Sequence, residues 1–326
     1  MENEINSIES PIDERSTDNE LVQPKVISHL DTDIRLNDNT VVCGVSLLGR
    51  NHQLHDEKCQ DYHLFSDLGD GWHLYIVSDG AGSATASDRG SRWNCIIADY
   101  LIKGLIERTG WKLKKELPSE LEWYQEFYAI CRKTKATIEE RVEMLDEQLK
   151  PKDFNATLLV LIVTPMGMLT AHIGDGRIGY KSIDGNWYSI ITPHKGEEAN
   201  QTIFLMNNWD GISIPTLKLS NVSVPEVRII NDTPLSVIVM SDGCENFSWN
   251  CLQYNSVTEK FEDINTPFPG FWNPLILCIN ESPDENRLTE FITFIDSSTE
   301  ACRNELDDRT ILIGIYNCEK SDEDKN

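Results

Sequence analysis

The chain has 326 residues, 40% of them hydrophobic, and a formal net charge of −25 from 54 acidic and 29 basic residues. This is enough apolar material for one large domain or two small ones, and the negative charge argues against binding to nucleic acid or to a membrane surface. No run is long enough for a membrane-spanning helix, the N-terminus lacks a secretory signal, and the nine cysteines contain no C-x-x-C pair. We therefore expect a globular, cytoplasmic protein with reduced thiols.

The first part of the chain is polar. Residues 1–36 hold only short apolar patches, so they are predicted to form an acidic, mobile N-terminal arm. Folding is predicted to begin with a strand at residues 40–46. A polar loop, residues 49–61, follows, and its side chains could face a ligand. The next apolar run, residues 74–78, is too short for a helix and predicts a buried strand.

Two helices and a series of strands are predicted next. Apolar residues at helical spacing between 93 and 105 indicate a helix that Gly110 ends. Ser119 and Glu122 form a capping box that opens a second helix. Between residues 157 and 191 the pattern changes to short apolar runs separated by turns, which predicts a meander of antiparallel strands.

The last third of the chain alternates irregular and regular segments. Residues 194–233 show little periodicity and are predicted to form a long excursion over the surface. A strand is predicted at residues 237–241, a helix opens at Ser282, and a final strand spans residues 310–316. Residues 319–326 form a charged tail.

Three of the predicted strands end in the dipeptide Asp-Gly, at Asp79, Asp175 and Asp242. One such ending is weak support for a site, because Asp-Gly is also a common turn. Three further acidic residues add to these: Asp61 at the end of the polar loop, and Asp307 and Asp308 just before the last predicted strand. Carboxylates that converge on one place repel one another unless a cation lies among them, so the pattern indicates a metal site.

Six short motifs occur in a fixed order along the chain: Gln60-Asp61, VSDGAGS at 77–83, NATLL at 155–159, IGDGR at 173–177, MSDG at 240–243 and DDRT at 307–310. Together they resemble the metal-dependent protein phosphatases of the type 2C family. The segment GEEANQTIFL at 196–205 resembles the bacterial branch of that family. The resemblance covers roughly residues 40–317. It implies an α+β fold, with a central antiparallel β-sandwich flanked on both faces by α-helices, in a single catalytic domain at residues 37–318.

The resemblance also implies a reaction. Members of the family hydrolyse phosphoserine and phosphothreonine in proteins, with a water that bridges two Mg²⁺ or Mn²⁺ ions and with an accessory third metal site. The chemistry agrees, because hard divalent cations take oxygen ligands and two of them can activate a water and bind phosphoryl oxygens. A phosphorylated protein substrate and a companion serine/threonine kinase are the expected partners.

The family's functional residues can be matched one by one to this chain. Asp79 stands where the family has the aspartate that bridges the metals, and Gly80 where a backbone carbonyl joins the coordination. Asp242 and Asp307 match the other direct ligands, so these two and Asp79 are the candidate catalytic residues. Two more positions complete the implied metal ligands: Asp61, which holds metal-bound waters, and Asp175, at the third site. Asp308 replaces a common asparagine beside the ligands.

Two positions depart from the family pattern. Many members carry a histidine, thought to act as general acid, where this chain has Ala81. The arginine that contacts the substrate phosphate has no counterpart at Asp56. Arg50 and His52 are nearby candidates for that contact, although a loop residue of either type is also common on a solvated surface.

Two other interpretations stay open from the sequence. The first is a phosphatase-like module that recognises phosphoproteins or a regulator without turnover. The second is an unrelated carboxylate-bridged metal hydrolase such as a nuclease, which the acidic charge disfavours.

Overall fold

The computed structural model describes residues 28–37, 39–145, 148–195, 202–214, 221–257 and 259–316. Most of the predicted arm, residues 1–27, and the predicted tail, residues 319–326, lie outside this part. The strands are β1 (Ser28–Asn37), β2 (Thr40–Leu47), β3 (Tyr62–Gly69), β4 (Trp72–Ser78), β5 (Leu158–Thr164), β6 (Gly167–Ile173), β7 (Arg177–Ser182), β8 (Trp187–Ser189), β9 (Ser213–Ile214), β10 (Val222–Ser223), β11 (Glu226–Ile230), β12 (Pro234–Met240), β13 (Trp249–Asn255), β14 (Lys260–Pro267) and β15 (Arg309–Tyr316). The helices are α1 (Arg50–His55), α2 (Ser87–Thr109), α3 (Trp111–Lys114), α4 (Glu120–Met144), α5 (Glu245–Ser248), α6 (Pro269–Glu281), α7 (Asp284–Ser297) and α8 (Glu300–Asn304).

The longer strands form two antiparallel sheets. One sheet has the order β1-β2-β15-β12-β7-β8 and the other has the order β11-β6-β5-β4-β3. Two separate hairpins pair β9 with β10 and β13 with β14. The predicted meander at residues 157–191 is therefore divided between two sheets. The chain leaves one sheet at the end of β6 and enters the other at the start of β7, and Asp175 lies at this crossing.

The two sheets pack face to face through alternate residues of their strands. Leu159 and Leu161 on β5 contact a cluster that includes Val237 and Val239 on β12 and Leu312 on β15, all of them fully buried. Burying one such side chain stabilises the fold by about 1.5–3 kcal/mol. This layer fixes the register of both sheets, because a shift of one residue would turn every inward side chain outward.

Helices cover the outer face of each sheet. The helices α2 and α4 pack on β4, β5 and β6, whereas α6 and α7 pack on β2, β12 and β15. The predicted start of α4 and end of α2 hold, since Ser119 accepts a hydrogen bond from the backbone N–H of Glu122 and Gly110 ends α2 in the left-handed conformation. The predicted opening of the last helix at Ser282 is wrong, because α7 begins at Asp284 and the Ser282 hydroxyl donates to the carbonyl of Cys278. These four layers confirm the predicted α+β sandwich. None of the described helices is long and apolar enough to cross a membrane.

The prediction of a mobile N-terminal arm is wrong for residues 28–36, because these residues form most of β1. This strand pairs with β2 along its whole length. Its Asp33 accepts a hydrogen bond of 2.7 Å from Nε of Arg287 on α7. The strand lies at the edge of the sheet. Its apolar residues Leu30, Ile34 and Leu36 alternate with charged residues, so a strand signal was present in the sequence, but the polar content of the segment outweighed it in the prediction.

The predicted surface excursion, residues 194–233, is wrong in two places. Leu205 and Trp209 are buried in the core that α2 and α4 cover. Residues 226–230 form β11, which pairs with β6 from Glu226 opposite His172 to Ile230 opposite Met168. It is also an edge strand, and several of its side chains are only half-buried. Residues 196–201 and 215–220 of the excursion lie outside the described residues.

Candidate active site

The acidic residues indicated by the sequence lie at the ends of paired strands. Asp79 follows β4 and Asp61 precedes β3, and these two strands pair antiparallel. In the other sheet, Asp242 lies just after β12 and Asp307 just before β15, which also pair antiparallel. The end of one antiparallel strand lies beside the start of its neighbour. The topology therefore brings these four carboxylates to one end of the sandwich.

Direct contacts join the two halves of this cluster. The hydroxyl of Ser241 donates a hydrogen bond of 2.7 Å to Oδ2 of Asp61 and accepts one of 3.0 Å from the backbone N–H of Thr310. The carboxyl groups of Asp79 and Asp242 lie close enough for each to shift the pKa of the other. Two carboxylates this close are stable only if they share a proton or a cation.

The electrostatics of the cluster favour a bound cation. Burial raises the pKa of Asp61 well above its usual range, and the charge of Asp308 adds to the effect. Burial also raises the pKa of Asp79, followed by repulsion from Asp61 and Asp242. Burial, together with the charge of Asp175, raises the pKa of Asp242 to about 7. The free carboxylates are therefore destabilised, and positive charge placed among them would restore their ionised form.

A second acidic pair lies beside Asp242. Burial raises the pKa of Asp175, whose Oδ2 accepts a hydrogen bond of 2.5 Å from the hydroxyl of Thr202. The charge of Glu245 raises the pKa of both Asp175 and Asp242. Glu245 is itself held by Nε of the fully buried Arg177, at 2.6 Å from its Oε1. The sequence analysis missed Glu245, because no local pattern pairs it with an arginine far away in the chain.

The carboxylate of Asp308 anchors the loop before β3. Its Oδ1 accepts a hydrogen bond of 2.6 Å from the backbone N–H of Gly49, and its Oδ2 accepts one of 2.6 Å from the backbone N–H of Gln60. Nδ1 of His52 lies 2.9 Å from the same Oδ1. These bonds hold the residue before Asp61 against the segment that carries Asp307. Asp308 thus contacts the loop, consistent with its expected place beside the direct ligands.

The donor set fits Mg²⁺ or Mn²⁺. The side chains brought together are carboxylates from four strand ends, and hard cations of this kind prefer oxygen ligands. The raised pKa values show that the protein itself supplies too little positive charge to balance them.

Comparison with known proteins agrees with this arrangement. A sequence model described as protein phosphatase 2C matches residues 48–293, which is more than half of the chain. The chain belongs to the protein phosphatase 2C family. This confirms the resemblance carried by the six motifs and makes the protein a member of a family of serine/threonine protein phosphatases.

Individual relatives of this phosphatase support the same assignment. The chain is 26% identical over 277 residues to serine/threonine-protein phosphatase 3 of Escherichia coli K12, a match that covers 83% of the chain and 96% of the relative. Among solved structures, the Mycobacterium tuberculosis phosphatase PstP/Ppp matches with a TM-score of 0.50 at 14% identity, over 86% of the chain and 99% of that structure. The serine/threonine phosphatase of S. agalactiae matches with a TM-score of 0.50 at 15% identity, over 85% of the chain and 99% of that structure. These structures show the shared fold.

Arg50 and His52, the two candidates for binding the substrate phosphate, both contact other residues of the phosphatase. The guanidinium of Arg50 donates to the carbonyl of Arg303 and lies 3.3 Å from the carboxylate of Asp296. His52 is buried against Asp308, and its Nε2 lies 3.6 Å from Glu57. These contacts favour a role in holding the loop. A phosphate contact by Arg50 or His52 stays a prediction.

Glycine is required at position 80 of the phosphatase for steric reasons. A Cβ added to Gly80 would lie 2.6 Å from the backbone carbonyl oxygen of Gln60 and 2.9 Å from Cβ of Ser87. We expect Gly80→Ala to push the Gln60 backbone away from Asp79 and to lower phosphatase turnover at least tenfold. Gly82→Ala is the matched control, because a Cβ there meets no atom within 4 Å among the described residues. Equal turnover for the two variants would contradict the close approach.

Proposed function

We propose that this phosphatase removes phosphate from phosphoserine or phosphothreonine in protein substrates, with two divalent cations bound by the carboxylate cluster. The observation that carries the proposal is the convergence of Asp61, Asp79, Asp242 and Asp307 at one end of the sandwich in a member of the protein phosphatase 2C family. We also propose that the phosphatase is cytoplasmic and that a companion kinase phosphorylates the same substrates.

The metal ligands we propose are those matched in the sequence. Asp79, Asp242 and Asp307 would bind the two catalytic cations directly, together with the backbone carbonyl of Gly80. Asp61 would bind through water, and Asp175 would contribute to an accessory third site. When bound, the cations would lower the pKa of a bridging water and neutralise the phosphoryl oxygens for in-line displacement.

The chain's own residues prepare the site for this chemistry. Ser241 orients Asp61 by a hydrogen bond, and Asp308 fixes the loop that carries it. Arg177 fixes Glu245 beside Asp175. Because these supporting contacts are buried, the carboxylates keep their positions without reorganisation when a cation or a phosphate binds.

The test is a turnover assay on a phosphothreonine peptide and on p-nitrophenyl phosphate. With Mn²⁺ present, both substrates should be hydrolysed, and removal of the metal with EDTA should abolish both activities. Restoring Mn²⁺ should restore them. Hydrolysis that survives EDTA would contradict a metal-dependent mechanism, and hydrolysis of the aryl phosphate alone would contradict a protein substrate.

One observation favours a second candidate function, a phosphatase-like binding module. The position of the family's general acid is occupied by Ala81, which is buried, and Arg50 is engaged by Asp296 and Arg303. Such a module would bind the phosphothreonine peptide in the presence of Mn²⁺ without releasing phosphate. The same assay, combined with a measurement of peptide binding, separates the two functions.

A further inference from the structure

Three buried polar side chains lie together at one edge of the sandwich, outside the carboxylate cluster. His172 on β6 stands directly opposite Glu226 on β11 in one sheet. His194 lies five residues after β8, an edge strand of the other sheet. At most 1% of each of these three residues is exposed. Three separate segments therefore meet at a point where the two sheets come together.

The atoms that face one another are of types that bind metals. Nε2 of His172 lies 3.7 Å from Oε2 of Glu226, and Nε2 of His194 lies 4.0 Å from the same oxygen. All three side chains can offer ligand atoms within 4.8 Å of one another. Zinc bound at 2.0–2.1 Å in tetrahedral geometry separates its ligand atoms by about 3.4 Å. The present separations are longer than this, and the two rings stack with their centroids 4.0 Å apart and their planes at 21°. One ring therefore has to rotate before both Nε2 atoms can point at the same cation.

The hydrogen bonding of the two histidines is incomplete. Nε2 of His194 and Nδ1 of His172 are buried and have no hydrogen-bond partner among the described residues. Burying a polar atom without a partner is unfavourable. Burial also lowers the pKa of His172 to about 3 and that of His194 well below its usual range, so both rings are neutral. Neutral imidazole is the form that binds metals.

Glu226, by contrast, is already held in place. Its Oε1 forms an ion pair with Nη2 of Arg228 at 2.6 Å that lacks the geometry of a hydrogen bond, and its Oε2 accepts a hydrogen bond of 2.9 Å from the backbone N–H of Thr192. The carbonyl oxygen of Thr192 lies 2.9 Å from Nε2 of His172. An oriented carboxylate with a carbonyl close by resembles the outer contacts that position ligands at known metal sites.

We propose that His172, His194 and Glu226 bind a divalent cation of the zinc class, with the Thr192 carbonyl or a water as fourth ligand. Coordination through Nε2 of each ring places the remaining imidazole proton on Nδ1. For His172 this releases the Thr192 carbonyl from its present hydrogen bond. His194 then loses the hydrogen bond of 3.4 Å that its Nδ1 accepts from the backbone N–H of Gly174, and Nδ1 of His172 still has no partner among the described residues. The ligand set is two imidazoles and one carboxylate, which suits zinc better than magnesium.

The bound cation would fasten the two sheets to each other next to Asp175. The backbone N–H of His194 donates a hydrogen bond of 2.8 Å to the carbonyl of Gly174, the residue before Asp175. The site would therefore fix the turn that carries Asp175, and its role would be structural. It does not depend on the proposed phosphatase function.

The test measures zinc in the full-length chain expressed in zinc-supplemented medium, because a buried site is filled as the chain folds. Dialysis against excess Mg²⁺ removes zinc from the carboxylate cluster, and Asp79→Asn provides a second background in which that cluster is weakened. We expect one zinc per chain in both proteins by elemental analysis, and an X-ray absorption spectrum with imidazole nitrogen ligands. His194→Gln should lose at least nine-tenths of the zinc.

His55→Gln is the matched control, since His55 is an exposed histidine on α1 and should not affect zinc content. If His194→Gln fails to fold, the X-ray absorption spectrum of the unaltered chain decides whether histidine nitrogens bind the zinc. Absence of zinc, a spectrum with oxygen ligands alone, or equal zinc in the His194→Gln and His55→Gln proteins would overturn the proposal. The three side chains would then be a polar cluster that water satisfies.

Discussion

Asp79→Asn is expected to reduce hydrolysis of a phosphothreonine peptide at least a hundredfold at saturating Mn²⁺ while leaving the fold intact. The substitution removes one negative charge from a group of carboxylates whose repulsion already raises the pKa of Asp79. Losing that charge weakens cation binding but relieves repulsion in the metal-free protein. The thermal midpoint in EDTA should therefore stay the same or rise.

Asp184→Asn is the matched control for this change. Asp184 belongs to another Asp-Gly dipeptide, but it lies in the exposed turn between β7 and β8, where it accepts a hydrogen bond from the backbone of Asn186. Its turnover should remain within a factor of two of the unaltered chain. Near-normal turnover of Asp79→Asn would show that the catalytic centre lies elsewhere. If the Asp79→Asn protein unfolds, the Asp79 carboxylate stabilises the fold, and the expected relief of repulsion in the metal-free protein is wrong.

Asp308→Ala is expected to have the largest effect on stability of the substitutions considered. It leaves the buried backbone N–H of Gly49 and the half-buried backbone N–H of Gln60 without their acceptor, and it removes the partner of His52. An unpaired buried donor costs about 1–3 kcal/mol, so the loss should be roughly 2–5 kcal/mol in the free energy of unfolding. Urea denaturation measures this loss. Turnover should also fall, because the loop that carries Asp61 is no longer anchored.

Asp308→Asn tests the reason for that effect. Asparagine keeps one acceptor oxygen at the same place, and the family commonly has asparagine at this position. The expected loss is therefore less than half of that for alanine. Equal destabilisation by alanine and asparagine would mean that the charge of Asp308, and not its hydrogen bonding, holds the loop.

The sequence could predict the layers and the acidic site because both rest on local signals. Buried strands such as β4 and β12 are short apolar runs, and each is followed closely by the aspartate that matters. The helices α2 and α4 carry an apolar stripe and recognisable caps. The order of the six motifs then indicated that strand ends far apart in the chain belong to one site. The convergence of Asp79 with Asp242 followed from the family resemblance alone, because β4 and β12 lie in different sheets and do not pair.

Other features were missed because their local signal is short, is outweighed by polar residues, or does not exist. The edge strand β11 has only five residues, and β1 was missed although its apolar residues alternate with charged ones, because polar residues dominate that part of the chain. The pair formed by Arg177 and Glu245 joins residues from two elements, and its importance appears only when Asp175 and Asp242 are placed beside it. The partners of Arg50 likewise come from α7 and α8, near the other end of the chain.

Titration of the metal-free chain with Mn²⁺, followed by the electron paramagnetic resonance signal of the free ion, measures most directly whether the clustered carboxylates hold catalytic cations. We predict two tightly bound Mn²⁺ ions per chain, a weaker third that is lost in Asp175→Asn, and phosphopeptide turnover that rises as the two tight sites fill. The double variant Asp79→Asn/Asp242→Asn should lose both tight sites. Tight binding that survives in this double variant, or full turnover before any Mn²⁺ is bound, would contradict the assignment of the cluster as the active site.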